Sequence, residues 1–403
     1  MPEHLPLAVD PVLITGLTEQ LVSISSVNPS LIPGAPGEGD VARCLAAVCE
    51  RLGMAVTLEE VAPGRPNVTA VIPGTEPARG RSLMLNGHMD TVGTAGMDAP
   101  FTPVLREGRL FGRGSVDMKG SLAAMVGAAA ALREAGVAPL GDVLLTFVAD
   151  EEHLSLGTAA IAATRRADAA IVTEATGLRI CVAHKGFVWA TIRTEGRAAH
   201  GSDYEAGVDA IVRMGRVLEA LERFDRESLS QRAHPLLGRP SVHASLIQGG
   251  EGLSTYPPSC ALTLERRTLP EETEEEVRAE LREMLAALGR TDPRFQASLE
   301  VTCVRPGLEV DRGAAIVRAL DRAYVDACGR SPAYVGHGAW FDAALLAREG
   351  IPTVIFGPSG TGAHGEVEYV DLPSVVTCAE VLAHVIAGFC GVAPRVRRPP
   401  CAS

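Results

Sequence analysis

Residues 83–90 read Leu83-Met84-Leu85-Asn86-Gly87-His88-Met89-Asp90. The apolar start marks a short buried strand, and the strand ends in a polar cluster. Successive strand side chains alternate in direction, so His88 and Asp90 share one face. That spacing suits a metal-ligating histidine with a carboxylate behind it. The carboxylate accepts the second ring N–H, fixes the tautomer and makes the other nitrogen a better ligand. By itself His-x-Asp equally fits a strand end with a polar turn.

The surrounding chain has the rhythm of an α/β domain. Helices are expected at residues 9–24, 41–52, 121–135 and 155–166, and strands at 54–59, 67–72, 83–86, 143–149 and 169–173. The continuous apolar runs 143–149 and 169–173 are the mark of strands covered on both faces. Residues 28–40 and 108–120 are rich in Gly and read as loops. After residue 183 the order becomes strand 187–194, helix 206–224, strands 241–247 and 260–269, helix 272–288 and strand 295–304. This β-α-β-β-α-β order is that of a ferredoxin-like unit. The α/β rhythm resumes with helices at 313–328, 342–348 and 374–389 and a buried strand at 352–356. The expected fold is therefore an α/β catalytic domain (residues 1–183 and 305–403) with a covered, mostly parallel sheet. A ferredoxin-like α+β domain (184–304) is inserted in it.

Composition narrows the function. The chain has 403 residues, 46% of them hydrophobic and 21% charged, as in an ordinary soluble globular protein. A net charge of -12 argues against nucleic acid or an anionic membrane as partner. No apolar run is expected to span a membrane, and residues 1–9 lack the pattern of a secretory signal. The nine cysteines are scattered, without a Cys-x-x-Cys pair, which reads as reduced thiols in a cytoplasmic protein. The Pro- and Arg-rich tail, 394–403, is expected to be disordered.

Four further polar points fall at the ends of the expected elements, where binding residues of open α/β sheets collect. Asp117 lies in Gly112-Arg113-Gly114-Ser115-Val116-Asp117-Met118-Lys119-Gly120, before a helix. Asp150, Glu151 and Glu152 follow the run 143–149, Glu174 follows 169–173, and His364 sits in Gly362-Ala363-His364-Gly365. Singly, they fit a helix cap, a solvated helix start, a loop charge and a turn residue. Together, two histidines and at least three carboxylates form a mixed N/O donor set that suits zinc, with cobalt or manganese as replacements. Of two adjacent glutamates, one can ligate while the other takes a proton from water. The Gly112-x-Gly114 pair lacks the third glycine and the preceding strand of a dinucleotide site.

With these motifs in hand, the sequence resembles the di-zinc metallopeptidase family of acetylornithine deacetylase, succinyl-diaminopimelate desuccinylase, aminoacylase and glutamate carboxypeptidase. The likeness rests on Gly87-His88-Met89-Asp90-Thr91-Val92, Gly112 to Gly120, Asp150-Glu151-Glu152, Thr173-Glu174, Ala199-His200-Gly201-Ser202, Arg267-Thr268-Leu269-Pro270 and Gly362-Ala363-His364, all in the family's order. It implies two Zn2+ ions. His88, Asp117 and Glu174 would hold one; Asp117, Glu152 and His364 would hold the other, with Asp117 bridging. It further implies Glu151 as general base, Asp90 as the group that orients His88, and a cis Asp117–Met118 peptide. His200 would stabilise the oxyanion, often from a partner subunit, and Arg267 would bind a substrate carboxylate. The inserted domain would then be both lid and dimer interface.

Two departures bear on the substrate. Ser254 stands where many members have Asn, and Phe341 where Thr is common. Both stretches are expected to line the substrate pocket, as is Gly357. The reading is a homodimeric, metal-dependent hydrolase of the amide bond of an N-acyl-L-amino acid. A dipeptidase, carboxypeptidase or desuccinylase on the same scaffold is the nearest alternative. A catalytically silent metal-binding partner protein is an alternative of another class, against which the unligated Glu151 argues.

Overall fold

In the computed structural model, which describes residues 7–393, Leu83–His88 is a strand buried along its whole length. It pairs in parallel with Val143–Val148 on one side and Ala169–Val172 on the other. Both neighbours are also fully buried, which is why these segments are apolar without alternation. Thr353–Ile355 extends the parallel core beside Ala169–Val172. The strands added next to these four pair antiparallel. Arg65–Ile72 and Ala55–Ala62 add on one side, and Ile180–His184 on the other. The sheet is thus mixed, with a parallel core flanked by antiparallel strands.

Helices Pro11–Ser23, Gly120–Glu134, Ala315–Cys328 and Leu372–Cys390 pack into one layer against the sheet; Leu156–Thr164 packs with Ala343–Arg348 in another group. The expectation about apolar runs needs a correction here. Leu372–Cys390 has the length and composition to cross a membrane, with a mean hydropathy of 1.6 over its most apolar window. Its apolar character has a local cause: Val375, Cys378, Ala379, Leu382, Val385, Ile386 and Phe389 are buried against Gly120–Glu134 and Ala315–Cys328. Helix Gly120–Glu134 is itself buried on nearly every position, so its Ala-rich sequence serves close packing rather than an amphipathic stripe.

The chain divides into two compact units, the second formed by Ala183–Glu309 and Gly336–Trp340. The short return segment was not expected there. It belongs there because Trp340 Nε1–H donates to the Pro306 carbonyl at 3.0 Å and its ring meets the edges of Phe187 and His184. Within this unit the sheet order is Ser241–Gly249, Ser259–Thr268, Gly186–Glu195, Gln296–Arg305, all antiparallel. This is the ferredoxin-like arrangement. Helices Ala210–Arg223 and Glu274–Thr291 cover one face, burying Met214, Val217, Leu221, Val277 and Leu281 against Val188, Ala190, Ile192, Leu262 and Leu264. Thr273 and Glu276 form a reciprocal capping box at the second helix.

Other expectations shift in detail. The first of those two helices begins at Ala210, not at 206, because Arg197 and Val208 instead pair as an isolated antiparallel bridge. Residues 108–120 are not all loop. Val104–Arg106, Arg109–Phe111, Tyr369–Asp371 and Gly360–Thr361 make a small antiparallel sheet, followed by a helical turn at Ser115–Lys119. The Asp117–Met118 peptide is cis. The expected disorder of residues 394–403 lies outside the described residues, as does most of the N-terminal segment weighed as a signal.

Gly357 is buried after strand Thr353–Ile355. Its N–H donates to Thr176 Oγ1 at 3.0 Å and its carbonyl accepts from the Leu178 N–H at 2.9 Å. Its main chain is therefore engaged within the fold, against the segment that carries Glu174. A Cβ there would stand 2.2 Å from the Glu174 carbonyl oxygen and 2.5 Å from that of Thr173. Glycine is required because two backbones meet. Gly357→Ala should destabilise the protein by about 1–3 kcal/mol, the usual cost of overpacking. An unchanged midpoint of chemical unfolding would show that the Glu174 segment moves aside freely.

Candidate metal centre

Three of the expected ligands sit at the same edge of the parallel core. His88 closes its strand, Asp150–Glu152 follow Val143–Val148, and Glu174 follows Ala169–Val172. Parallel strands bring such ends together at one edge of the sheet. The other two come from loops: Asp117 from the turn before Gly120–Glu134, and His364, at a φ of 62°, from the connection between Gly360–Thr361 and Tyr369–Asp371.

The five side chains converge. Asp117 faces both histidines, with Oδ1 3.0 Å from His88 Nε2 and Oδ2 3.2 Å from His364 Nε2. His88 Nε2 also lies 3.5 Å from Glu174 Oε1, and His364 Nε2 lies 3.0 Å from Glu152 Oε2. Ligand atoms of His88, Asp117 and Glu152 lie within 4.8 Å of one another, as do those of His88, Glu151 and Glu174. The result is two donor groups, one around each imidazole, with one carboxylate common to both.

Asp90 plays a wider part than the sequence suggests. The acceptor nearest to His88 Nδ1 is the main-chain carbonyl of Asp90, at 2.9 Å, while the carboxylate is 3.6 Å away. That carboxylate instead accepts the main-chain N–H groups of Glu151 (3.1 Å) and Glu152 (3.2 Å) and the Asn28 amide (2.8 Å). Asp90 therefore fixes His88 through its backbone and the two glutamates through its side chain.

Further polar residues, unmarked in the sequence, hold the centre from behind. Arg65 joins Glu38 and Asp150 in a buried network, with Nη1 2.6 Å from Asp150 Oδ1. The Asp150 N–H donates back to Glu38 Oε1 at 3.1 Å. Buried Glu368 accepts the N–H groups of Gly114, Val116 and Asp117, and pairs with Arg113. Asp342 is buried and its charge acts on both Glu151 and Glu174. No local motif signals these residues. Only the glycine-punctuated run 112–120 hints that something must grip it.

The electrostatics are those of a site built for cations. Burial pushes Glu174 up to about 8, with Asp117, Glu152 and Asp342 adding to the shift. Burial likewise drives Glu151 well above the ordinary carboxylate range, with Asp342, Glu174 and Glu152 reinforcing it. His364 is raised to about 10 by its hydrogen bonds to Asp117 and Glu152. Burial opposes charge on His88, yet its contact with Asp117 and the surrounding carboxylates raise it well above the usual value. Asp117, despite burial, is held far below the usual range by the two histidines. Positive charge is thus favoured on each side of Asp117. Glu152 Oε1 is buried and makes no hydrogen bond among the described residues, so it has a lone pair to offer. Donor types, shared carboxylate and this spare oxygen all fit a pair of divalent cations.

The rest of the expected site residues belong to other surroundings. His200 is exposed in the second unit. Its Nδ1 lies 2.8 Å from Ser202 Oγ and accepts the Ser202 N–H at 3.3 Å, which leaves Nε2 as the outward donor. Gly201 N–H donates to the Ser254 carbonyl at 2.7 Å, so the His200 and Ser254 segments lie side by side. In the same unit Arg267 Nε pairs with Glu265 Oε1 at 2.7 Å and its guanidinium stands over the Phe187 ring. Phe341 is half-buried immediately before Asp342.

Cation binding should release protons. Burial favours the protonated form of Glu174, at about 8, and the contacts with Asp117 and Glu152 favour that of His364, at about 10. Ligation needs their deprotonated forms, so affinity should rise as pH rises through about 8 and on towards about 10. Calorimetric titration with Zn2+ in buffers of different ionisation enthalpy should show roughly one or more protons released per site. Absence of any net release would mean that these groups do not ligate.

The comparisons with known proteins agree with this geometry. The chain is 33% identical over 345 residues to acetylornithine deacetylase of Myxococcus xanthus, covering 83% of this chain and 87% of that protein. It is 27% identical over 400 residues to N-formyl-4-amino-5-aminomethyl-2-methylpyrimidine deformylase of Halalkalibacterium halodurans, covering 92% and 93%. Among solved structures, aminopeptidase PepT of Bacillus cereus shares the fold, with a TM-score of 0.77 and 21% identity over 94% of this chain and 99% of that one. The sequence profile of peptidase family M20/M25/M40 matches residues 84–388, from the strand that carries His88 to the last helix, and the chain belongs to that family of hydrolases.

Proposed function

We propose that the protein hydrolyses the amide bond of an N-acyl-L-amino acid, in the manner of an acetylornithine deacetylase. The observation that carries this is Glu151: a carboxyl group fixed beside His88 and Glu174, next in sequence to a ligand but outside the pair of imidazole contacts that Asp117 and Glu152 make. Family membership makes the protein a metal-dependent amide hydrolase; the acyl group, the amino acid and zinc as the metal are our reading.

His88, Asp117 and Glu174 would hold one Zn2+, and Asp117, Glu152 and His364 the other, with Co2+ or Mn2+ as substitutes. When bound, the cations supply Lewis acidity to the scissile carbonyl and acidify the attacking water. Glu151 takes the proton from that water and delivers it to the leaving nitrogen, as its burial among carboxylates suits. Asp90 keeps Glu151 and Glu152 in register through their N–H groups. From the second unit we assign His200 Nε2–H to the developing oxyanion and the Arg267 fork to the substrate carboxylate. Ser254 and Phe341 are assigned to the walls that choose the acyl group and side chain.

The second unit is also our candidate for lid and homodimer face. Its edge strand Ser241–Gly249 exposes Leu246 and Ile247, and helix Ala210–Arg223 exposes Ile211 and Val212 beside it. An unprotected apolar strand edge is a natural site for symmetric pairing.

Three outcomes test this reading. With Zn2+, Co2+ or Mn2+, a screen of N-acetyl, N-formyl and N-succinyl amino acids and dipeptides should show turnover of acyl amino acids, lost on chelation and regained on metal addition. Preference for free dipeptides would favour the peptidase alternative; metal binding with no turnover of any amide would favour the silent one. Glu151→Gln should keep its metal but lose about 10²–10⁴-fold in turnover; activity within a few-fold of wild type would remove it as the base. Finally, His200→Ala should lower kcat more than it raises KM, because its contact forms mainly in the transition state. If His200 serves a partner's site, mixed His200→Ala and Glu151→Ala subunits should regain activity. No regain despite demonstrated exchange would assign His200 to its own subunit.

A further inference from the structure

Two segments far apart in the chain, 112–117 and 364–368, are tied into one body by a buried ion pair. Glu368 and Arg113 are each 1% exposed. Glu368 Oε1 accepts the N–H groups of Val116 (3.0 Å) and Asp117 (3.2 Å). Its Oε2 accepts the Gly114 N–H at 2.9 Å and Arg113 Nη1 at 2.6 Å. Arg113 Nη2 then reaches the carbonyl of Gly365 at 2.9 Å, and the Gly112 N–H closes the circuit on the Glu368 carbonyl at 3.1 Å. One end of this body carries Asp117 and the other carries His364, next to Gly365.

The two imidazoles differ in what else holds them. His88 ends a buried strand paired on both sides, and Nδ1 is fixed by the Asp90 carbonyl. His364 rides on an irregular connection with its side chain 55% exposed. Beyond its contacts with Asp117 and Glu152, what holds its loop on the Asp117 side is Arg113 on Gly365 and the clamp of Glu368. A three-N–H acceptor that is also salt-bridged is a costly thing to bury, and its benefit is geometric: it fixes where the Asp117 backbone stands relative to the His364 loop.

We propose that Arg113 and Glu368 are positioning residues for the metal centre that bear chiefly on the His364–Asp117–Glu152 donor group, where the clamp presents both Asp117 and the His364 loop, and less on the group of His88 and Glu174, which it reaches through the shared Asp117 alone. The inference rests on the two-cation reading above. Neither residue touches the ligands' donor atoms or a substrate. They act through the backbone that presents Asp117 and the loop that presents His364.

Titration of metal-free full-length protein with Co2+ alone, followed by calorimetry and visible absorption, tests this without any turnover. Wild type should take up two equivalents; fewer than two would overturn the two-cation reading and the proposal with it. In Glu368→Gln the side chain keeps its size, but its amide N–H₂ must face N–H donors, so half of the clamp is lost. One equivalent should weaken by about 10–100-fold, the scale of outer-shell changes at metal sites, and the other by clearly less, because it depends on the clamp through Asp117 alone. Arg113→Lys, which keeps the charge but cannot bridge Glu368 and Gly365 together, should weaken the same equivalent, and it serves where Glu368→Gln folds poorly. The half is identified in a His364→Ala background. There Glu368→Gln should weaken the remaining equivalent by less than about tenfold, since of its ligands only Asp117 hangs on the clamp while His88 has supports of its own. Equal weakening of both equivalents, no weakening of either, or a further tenfold loss in the His364→Ala background would overturn the proposal while wild type still binds two.

Discussion

Both oxygens of Asp117 are committed, one to each of two imidazoles, and the candidate metal centre is arranged around that constraint. A carboxylate spans only about two bond lengths between its oxygens. Sharing it leaves no slack: the strand that ends in His88, the turn that carries Asp117 and the loop that carries His364 must agree to a fraction of an ångström. Rigid elements meet such a demand better than loops do. Only His88, Glu174 and the Asp150–Glu152 turn enjoy that support directly, at the ends of paired parallel strands. The loop-borne ligands gain it second-hand, through Glu368 and Arg113.

The same constraint concentrates negative charge. Asp90, Asp117, Glu151, Glu152, Glu174 and Asp342 crowd one sheet edge, and burial makes each of them costly in its charged form. Removing one partner from such a cluster leaves the others uncompensated. The protein meets the cost locally where it can. Arg65 compensates Asp150 and Glu38, Arg113 compensates Glu368, and Asn28 spreads its amide over Asp90 and Asp150. At the centre no Lys or Arg side chain pairs with Asp117, Glu152 or Glu174 among the described residues, and histidines are the only basic partners. That division between compensated support and uncompensated centre is what distinguishes a cation site from a structural ion-pair network.

What the sequence made legible follows from range. The parallel strands showed as unbroken apolar runs and the ferredoxin-like unit as an order of elements, because both patterns are local. Of the five candidate donors, His88, Glu152 and Glu174 were visible at the ends of such runs, and Asp117 and His364 in their glycine-flanked motifs. Glu368 was not, since its partners Arg113 and Gly114 lie 255 and 254 residues away and no period links them. Arg65 and Asn28 were missed for the same reason, being 85 and 62 residues from the acids they hold. The small sheet of Val104–Arg106, Arg109–Phe111, Gly360–Thr361 and Tyr369–Asp371 has strands of two or three residues, too short to show alternation. The demand for glycine at Gly357 was not visible either, since it comes from the Glu174 backbone that passes beside it.

The adjacent glutamates show how one anion can divide labour between two others. Asp90 Oδ1 holds the Glu151 N–H and Oδ2 holds the Glu152 N–H, so the two residues are fixed by a single carboxylate. Their side chains then diverge, Glu151 toward His88 and Glu174, Glu152 toward His364 and Asp117. With both glutamates free to turn, neither would keep a fixed direction toward one imidazole. Holding the backbone of both from one point fixes those directions. It also explains why Asp90 has little left for His88, which takes its hydrogen bond from the main chain of the same residue. A substitution at Asp90 would therefore act on three groups together: the His88 imidazole, Glu151 and Glu152.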